Sequence, residues 1–227
     1  PDKSIREQAI EDISNAMVIA DKYNVSTINL WMGQDGFDYP FECDYNELWS
    51  YMVEGLRACA KAAPKVNLCV EYKIMEPKAR NLPNSAAQAI LMTDEAKEDN
   101  LGVTIDFGHA IMGKENPSQS LLLAKRHNKH THIHINDNYG DWDWDMAAGY
   151  NHWWQLIEFF YWLDKTDFDD YIVLDVFPYR QDPKRITQVS LKAMNKAKSI
   201  ADRLKKKRID DFITQRNAIE IFDLLFE

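Results

Sequence analysis

The sequence predicts an α/β fold on a parallel sheet that curves into a (β/α)8 barrel, incomplete at the N-terminus of this chain. Three observations carry that expectation. Short apolar runs alternate with amphipathic helical stretches along most of the 227 residues. The polar residues of those runs share a parity: Asn29 and Trp31, Asn67, Cys69 and Glu71, Thr104 and Asp106, His132 and His134, Val173 and Asp175 fall on one face. Their aliphatic neighbours Ile28, Leu30, Leu68, Val70, Val103, Ile105, Ile133, Ile135, Ile172 and Leu174 fall on the other, which suits an outer helical ring. Finally, the acidic or imidazole residues lie near the C-terminal ends of their strands, where barrel active sites lie.

Residues 4–23 form an amphipathic helix by the spacing of Ile5, Ala9, Ile13, Ala16, Met17 and Ala20, with Asn24 as its stop. A strand over 27–32 closes at Gly33. Asp44 is placed to cap a helix that runs to about Ala63 and ends at Pro64. The next strand spans 66–73, and a long connection through Pro77 and Pro83 leads to a helix near 85–98. A strand over 102–108, a helix over 117–127 and the strand 131–137 follow. An aromatic helix over 151–164, a strand over 171–177 and two helices over 184–226 complete the pattern. We expect one barrel domain over 1–227, with strands three to seven readable, helices filling 184–227, and one or two βα units lying before this chain. The chain begins at Pro1 rather than Met.

A hydrophobic content of 45% is ordinary for a globular protein with a real core. No apolar run is long enough for a transmembrane helix, so no membrane partner is expected. The net charge of -9 disfavours a nucleic-acid partner. Cys43, Cys59 and Cys69 are odd in number and lack CxxC spacing, which predicts neither a disulfide framework nor a thiolate zinc site. A cytoplasmic setting is the expectation.

The stretch that concentrates the chemistry is 131–145. His132, His134 and Asn136 share a strand face, and Asp141, Asp143 and Asp145 then alternate along a loop. Neutral nitrogen beside anionic oxygen suits a divalent cation; the other reading is a polar strand ending in a solvated acidic loop. Glu71, Asp106, His134 and Asp175, each near the end of a successive strand, strengthen the metal reading. Mn²⁺ is the expected ion, with Co²⁺, Mg²⁺ or Zn²⁺ as alternatives.

These motifs resemble the xylose isomerase-like barrel superfamily, which includes xylose and rhamnose isomerases and the tagatose and psicose epimerases. Glu71-Tyr-Lys73 is similar to the strand whose glutamate binds metal and whose lysine serves the substrate. Asp106-Phe-Gly-His109 resembles the segment whose acid bridges two metals while its histidine holds the second. The segment from His134 through Asp141 to Asp143 is most similar to rhamnose isomerase, where the histidine binds the first metal and the paired aspartates the second. Asp175 matches the last ligand of the first metal. The loop from His134 to Asp141 is one residue shorter than the rhamnose isomerase form, and epimerases usually carry glutamate at the place of Asp175.

The resemblance implies a metal-dependent sugar isomerase or epimerase that moves hydrogen between adjacent carbons of a monosaccharide. The expected metal ligands are Glu71, Asp106, His109, His134, Asp141, Asp143 and Asp175. Glu71, Lys73 and Asp175 are the expected catalytic groups. Trp31, Asn136 and Trp142 are the expected substrate contacts, and a homo-oligomer is expected. His132 reads as a hydrogen-bonded core residue, and His127, His130 and His152 as surface or loop residues. Trp153, Trp154, Phe159, Phe160 and Trp162 read as core. Two other classes stay open: a zinc-dependent phosphodiesterase like the abasic-site endonucleases, and a non-catalytic metal-binding barrel subunit.

Overall fold

The computed structural model describes residues 2–226. Runs of β-branched and aliphatic residues form five parallel strands, β1 (Thr27–Trp31), β3 (Asn67–Glu71), β6 (Leu101–Asp106), β7 (Thr131–Ile135) and β8 (Ile172–Leu174), hydrogen-bonded in that order. Spatial order follows chain order without reversal, as in a barrel wall; a doubly wound sheet reverses at a switch point. The outer face is covered by α1 (Lys3–Lys22), α2 (Tyr45–Ala62), α3 (Ala86–Ala96), α5 (Pro117–Arg126), α6 (Trp153–Asp164) and α7 (Pro183–Lys206). Asp44 caps α2 as expected, its Oδ1 accepting from the backbone N–H groups of Asn46 at 2.8 Å and Glu47 at 3.1 Å.

The parity read from the sequence decides which side each residue takes. Leu68 and Val70 pack with Met17, Leu56 and Ala60 of α1 and α2. Val103, Ile105, Ile133 and Ile135 pack with Leu121, Leu156 and Phe159 of α5 and α6. Fully burying such an aliphatic side chain contributes about 1.5–3 kcal/mol. The aromatic residues of α6 join that core: Phe159 and Phe160 are buried, and Trp153, Trp154 and Trp162 pack against them. Among the described residues β1 and β8 are each paired on one side only, and Val173, which has axis-facing parity, is 39% exposed. No helix is long and apolar enough to cross a membrane.

Three features depart from the expected elements. The strand expected to reach Gly108 ends at Asp106, and a short helix α4 (Phe107–Met112) starts at once, because the Asp106 carboxylate accepts from the His109 backbone N–H at 2.7 Å. The long connection after β3 is partly ordered. Together with the loop after β1 it forms an antiparallel sheet of β2 (Gly36–Phe37), β5 (Ala79–Asn81) and β4 (Met75–Glu76) in that order. Strands of two or three residues leave no periodicity to read. Gly36 has φ 153° and passes so close to β5 that a Cβ would lie 1.9 Å from the Arg80 carbonyl oxygen. At the C-terminus, α7 is followed by two short helices, α8 (Asp210–Thr214) and α9 (Ala218–Asp223), where one was expected. Arg208 and Arg216 make the breaks with φ 54° and 57°.

Gly102 lets β3, β6 and the approach to β7 close up. A Cβ there would meet the His130 carbonyl oxygen at 2.5 Å and Cys69 Sγ at 2.7 Å. Gly102→Ala is therefore expected to destabilise the chain by about 1–3 kcal/mol. The check is urea denaturation, with a lower midpoint at an unchanged slope; an unshifted midpoint would mean that the sheet gives way freely there.

Candidate active site

Strand register brings the polar ends together. Trp31 lies opposite Glu71, Glu71 opposite Thr104, and Asp106 opposite His134. Asp175 follows β8 and extends its ladder, its N–H donating to the Ile135 carbonyl at 3.2 Å. One ligand atom from each of Glu71, Asp106, His134 and Asp175 lies within 4.8 Å of the other three. His134 Nδ1 stands 3.2 Å from Glu71 Oε1, 3.7 Å from Asp175 Oδ2 and 3.8 Å from Asp106 Oδ2. These are the four residues that the sequence placed at successive strand ends.

The two deepest carboxylates are held from behind. Thr104 donates through Oγ1 to Asn29 Oδ1 at 2.5 Å, and Asn29 Nδ2 donates to Glu71 Oε2 at 2.6 Å. Asn136 Nδ2 donates to both oxygens of Asp106, at 3.2 and 3.0 Å. Expected as a substrate contact, Asn136 is fully buried behind Asp106 and serves as its prop. Gly108 makes room for it, since a Cβ there would sit 1.8 Å from Asn136 Oδ1. Asn29 and Thr104 were legible as axis-facing but not as props, because their roles depend on cross-strand register.

Beside this cluster lies a second group. His109 Nε2 is 3.1 Å from Asp143 Oδ2, and His109 Nδ1 is 3.4 Å from Glu71 Oε1. Lys73 Nζ pairs with the same Asp143 oxygen at 2.6 Å and with Glu76, and it lies 5.3 Å from the centre of the Trp31 ring. Asp143 Oδ1 is buried without a partner. The loop that carries Asp143 is closed at its base by paired backbone hydrogen bonds between Asp137 and Met146, at 3.1 and 2.9 Å.

Asp141 stands apart. It is exposed on that loop and accepts from the Trp144 indole at 2.9 Å, so the structure does not gather it with Asp143. Trp142 lies between them, partly buried. Asp145, one of the three alternating loop acids but outside the expected ligand set, has φ 45°, and its carbonyl accepts from the Phe177 N–H at 3.0 Å. His132 also differs from expectation, since its Nδ1 is buried with no hydrogen-bond partner among the described residues. His152, read as a surface or loop residue, lies in the loop before α6, with Nδ1 2.7 Å from Oδ1 of the fully buried Asp137.

So many acids at one barrel mouth shift one another. Burial pushes the Asp106 carboxyl up to about 6, with Glu71 and Asp143 adding to the rise against the pull of His109. Burial opposes charge on His134, but Asp175, Glu71 and Asp106 outweigh it and raise the imidazole to about 10. The balance at His109 is similar, with Asp106, Asp143 and Glu71 raising it to about 9 against burial. For Asp145, burial and the charges of Asp143, Asp175 and Asp106 raise the carboxyl to about 8. Burial also acts against charge on Glu71, yet its contacts with His134, His109 and Asn29 hold it below the usual glutamate range. Crowded oxygens of Glu71, Asp106 and Asp175 around one imidazole suit a divalent ion, which would relieve the repulsion while taking three oxygens and one nitrogen. The unpartnered Asp143 oxygen beside His109 offers donors of the same kind.

A family model described as Xylose isomerase-like TIM barrel matches residues 1–197. The chain is similar to a solved D-tagatose 3-epimerase-like protein, with TM-score 0.73 and 17% identity, over 89% of this chain and 73% of that one. It is also similar to an L-ribulose 3-epimerase, with TM-score 0.71 and 15% identity, over 92% and 72% of the two chains. A 3-keto-D-glucoside 4-epimerase from E. coli gives 0.68 and 16%, over 82% and 70%. At these identities the solved structures speak for the fold. The strand order, the strand-end residues and the match over 1–197 together mean that the chain belongs to the xylose isomerase-like TIM barrel family.

Proposed function

We propose that this chain is a metal-dependent sugar isomerase or epimerase that transfers hydrogen between adjacent carbons of an α-hydroxy carbonyl. The observation that carries the reading is the convergence of Glu71, Asp106, His134 and Asp175 at the mouth of the sheet. These four would hold one divalent ion, for which Mn²⁺ is our choice. His109 and Asp143 would contribute to a second. A bound ion supplies positive charge that polarises the neighbouring carbonyl and hydroxyl oxygens and lowers the cost of the developing negative charge.

Glu71 and Asp175 come from the two outer strands of the ligand set, so they flank the position where a reacting carbon would sit. In this reading Glu71 takes the proton from carbon, its carboxylate aligned by Asn29. Lys73 spends two N–H groups on Glu76 and Asp143, which leaves a third to donate to a sugar oxygen. Trp31 offers a flat face beside it, and Trp142 could pack on the sugar from the loop. Epimerisation is supported by the names of the similar structures; aldose–ketose isomerisation is supported by the aspartate at 175.

Glu71→Gln keeps an oxygen for the ion but cannot accept a proton. We expect turnover on a panel of ketoses and aldoses to fall by at least about 100-fold while metal content at saturation holds. Solvent deuterium appearing in the product would mark proton transfer, and its absence a hydride shift. Full turnover by Glu71→Gln would exclude Glu71 as the base.

Metal uptake should also depend on pH with a defined sign. His134 is imidazolium below about 10 in the metal-free chain, and a ligand nitrogen must be neutral. Binding near neutral pH therefore displaces a proton, and affinity should rise about tenfold per pH unit for each proton released. Calorimetry in buffers of different ionisation enthalpy reads that number directly. Uptake without proton release would remove His134 from the ligand set.

A further inference from the structure

The small antiparallel sheet leaves polar groups next to the acid cluster that the reading above does not use. A slot of about 10 Å³ lies beside Glu71 and Lys73, bounded by Trp31, Asp35, Asn81 and Pro83. Its walls are set by backbone pairing: Gly36 of β2 lies opposite Asn81 of β5, and the Leu82 N–H donates to the Asp35 carbonyl at 2.9 Å. Asn81 is 5% exposed, and its Oδ1 is buried with no hydrogen-bond partner. Asp35 forms the exposed lip, and among the described residues no donor or cation faces its carboxylate.

A buried acceptor without a donor is costly to keep, so the slot suits a guest that brings a hydrogen. The volume admits roughly one oxygen atom, since a water needs about 10–15 Å³. Two unused acceptors, beside the Lys73 N–H and the Trp31 ring already turned to the sugar, match a group that donates a hydrogen and stands on a carbon skeleton. That description fits an alcohol. A methyl or methylene group placed there would leave the Asn81 oxygen bare.

We propose that Asn81 and Asp35 form a hydroxyl-recognition subsite, on the β1 side of Glu71, for one hydroxyl of a monosaccharide at a carbon outside the reacting pair. This rests on the sugar reading above and deepens it. Asn81 and Asp35 act as specificity-determining residues, and neither touches the reacting carbons.

The test uses the Mn²⁺-loaded chain with its best sugar and the monodeoxy analogues at each non-reacting carbon. One analogue should lose at least about 100-fold in kcat/KM, because a site built to bond a hydroxyl rejects its absence strongly. Asn81→Ala and Asp35→Asn should raise KM for the parent sugar toward that of this analogue while kcat stays within about tenfold. Analogues all used as well as the parent would overturn the subsite and leave the slot holding a structural water only. Discrimination unchanged in both variants would overturn it as well. If a variant folds poorly, the analogue series on the unaltered chain still decides.

A second measurement separates this proposal from the catalytic one. Unreactive sugar alcohols should perturb the tryptophan fluorescence that is lost in Trp31→Phe, and Asn81→Ala should weaken that response. A chain that shows this response but turns over no sugar would sustain the subsite and sink the catalytic reading. A chain that turns over sugars but discriminates no hydroxyl would do the reverse, and silence in both assays would sink the two together.

Discussion

The mutual repulsion of Glu71 and Asp106, held out of water at the mouth of the sheet, is the constraint that the surrounding structure answers. Both side chains are at most 4% exposed, and among the described residues the cationic groups paired with them are the imidazoles of His109 and His134. Taking carboxylates from water costs several kcal/mol each unless partners and hydrogen bonds replace the lost solvent. The replacements are visible: Asn29 on Glu71, Asn136 and the His109 N–H on Asp106, and Thr104 behind Asn29. Every one of these donors comes from the sheet or from the segment directly after a strand. The register of β1, β3, β6 and β7 therefore fixes the electrostatics of the site as well as the shape of the core.

The same charges tie peripheral segments to the centre. Lys73 stands two residues beyond Glu71, keeps the same parity, and bridges Asp143 on one side and Glu76 on the other. Glu76 belongs to β4, so the small antiparallel sheet and the 138–145 loop meet at a single ammonium. Burial alone would weaken charge on Lys73, but its two carboxylate partners raise its pKa above the usual lysine range and keep it a cation. The mouth is thus assembled from segments far apart in sequence, joined by the Lys73 bridge and the His109–Asp143 pair, with the loop closed at its base by the Asp137–Met146 backbone pair.

Most of the architecture was legible because it rests on period and parity. The five strands and their inward and outward residues follow from alternation, and Asp44 announced its helix. The four residues that converge at the strand ends were legible for the same reason, since a polar group at the end of an aliphatic strand is conspicuous. Illegible were the features that depend on geometry between segments. β2, β4 and β5 are too short to carry a period, and α4 exists because Asp106 turns back to cap it. Asn136 sits in the same motif as the ligands, and only register shows that it supports Asp106 from behind. Asp141 and Asp143 look equivalent in sequence, yet the loop turns one toward Trp144 and the other toward Lys73 and His109.

That separation of near-identical acids extends to the two carboxylates expected to face a substrate. Glu71 ends a five-residue strand buried between two neighbours, and both its oxygens are engaged, one by His134 and one by Asn29. Asp175 follows a three-residue strand, its side chain is 33% exposed, and its Oδ2 stands 3.7 Å from His134 Nδ1. A carboxylate fixed through both oxygens loses little freedom when it meets a substrate, which favours it wherever alignment limits the rate. A more exposed carboxylate with looser contacts can adjust to substrates of different shape, at the cost of ordering itself each time. In the proposed reaction a reacting carbon would meet two unlike carboxylates, a rigid one on β3 and a more adaptable one after β8. That asymmetry would let the two partners differ in how strictly they align the substrate.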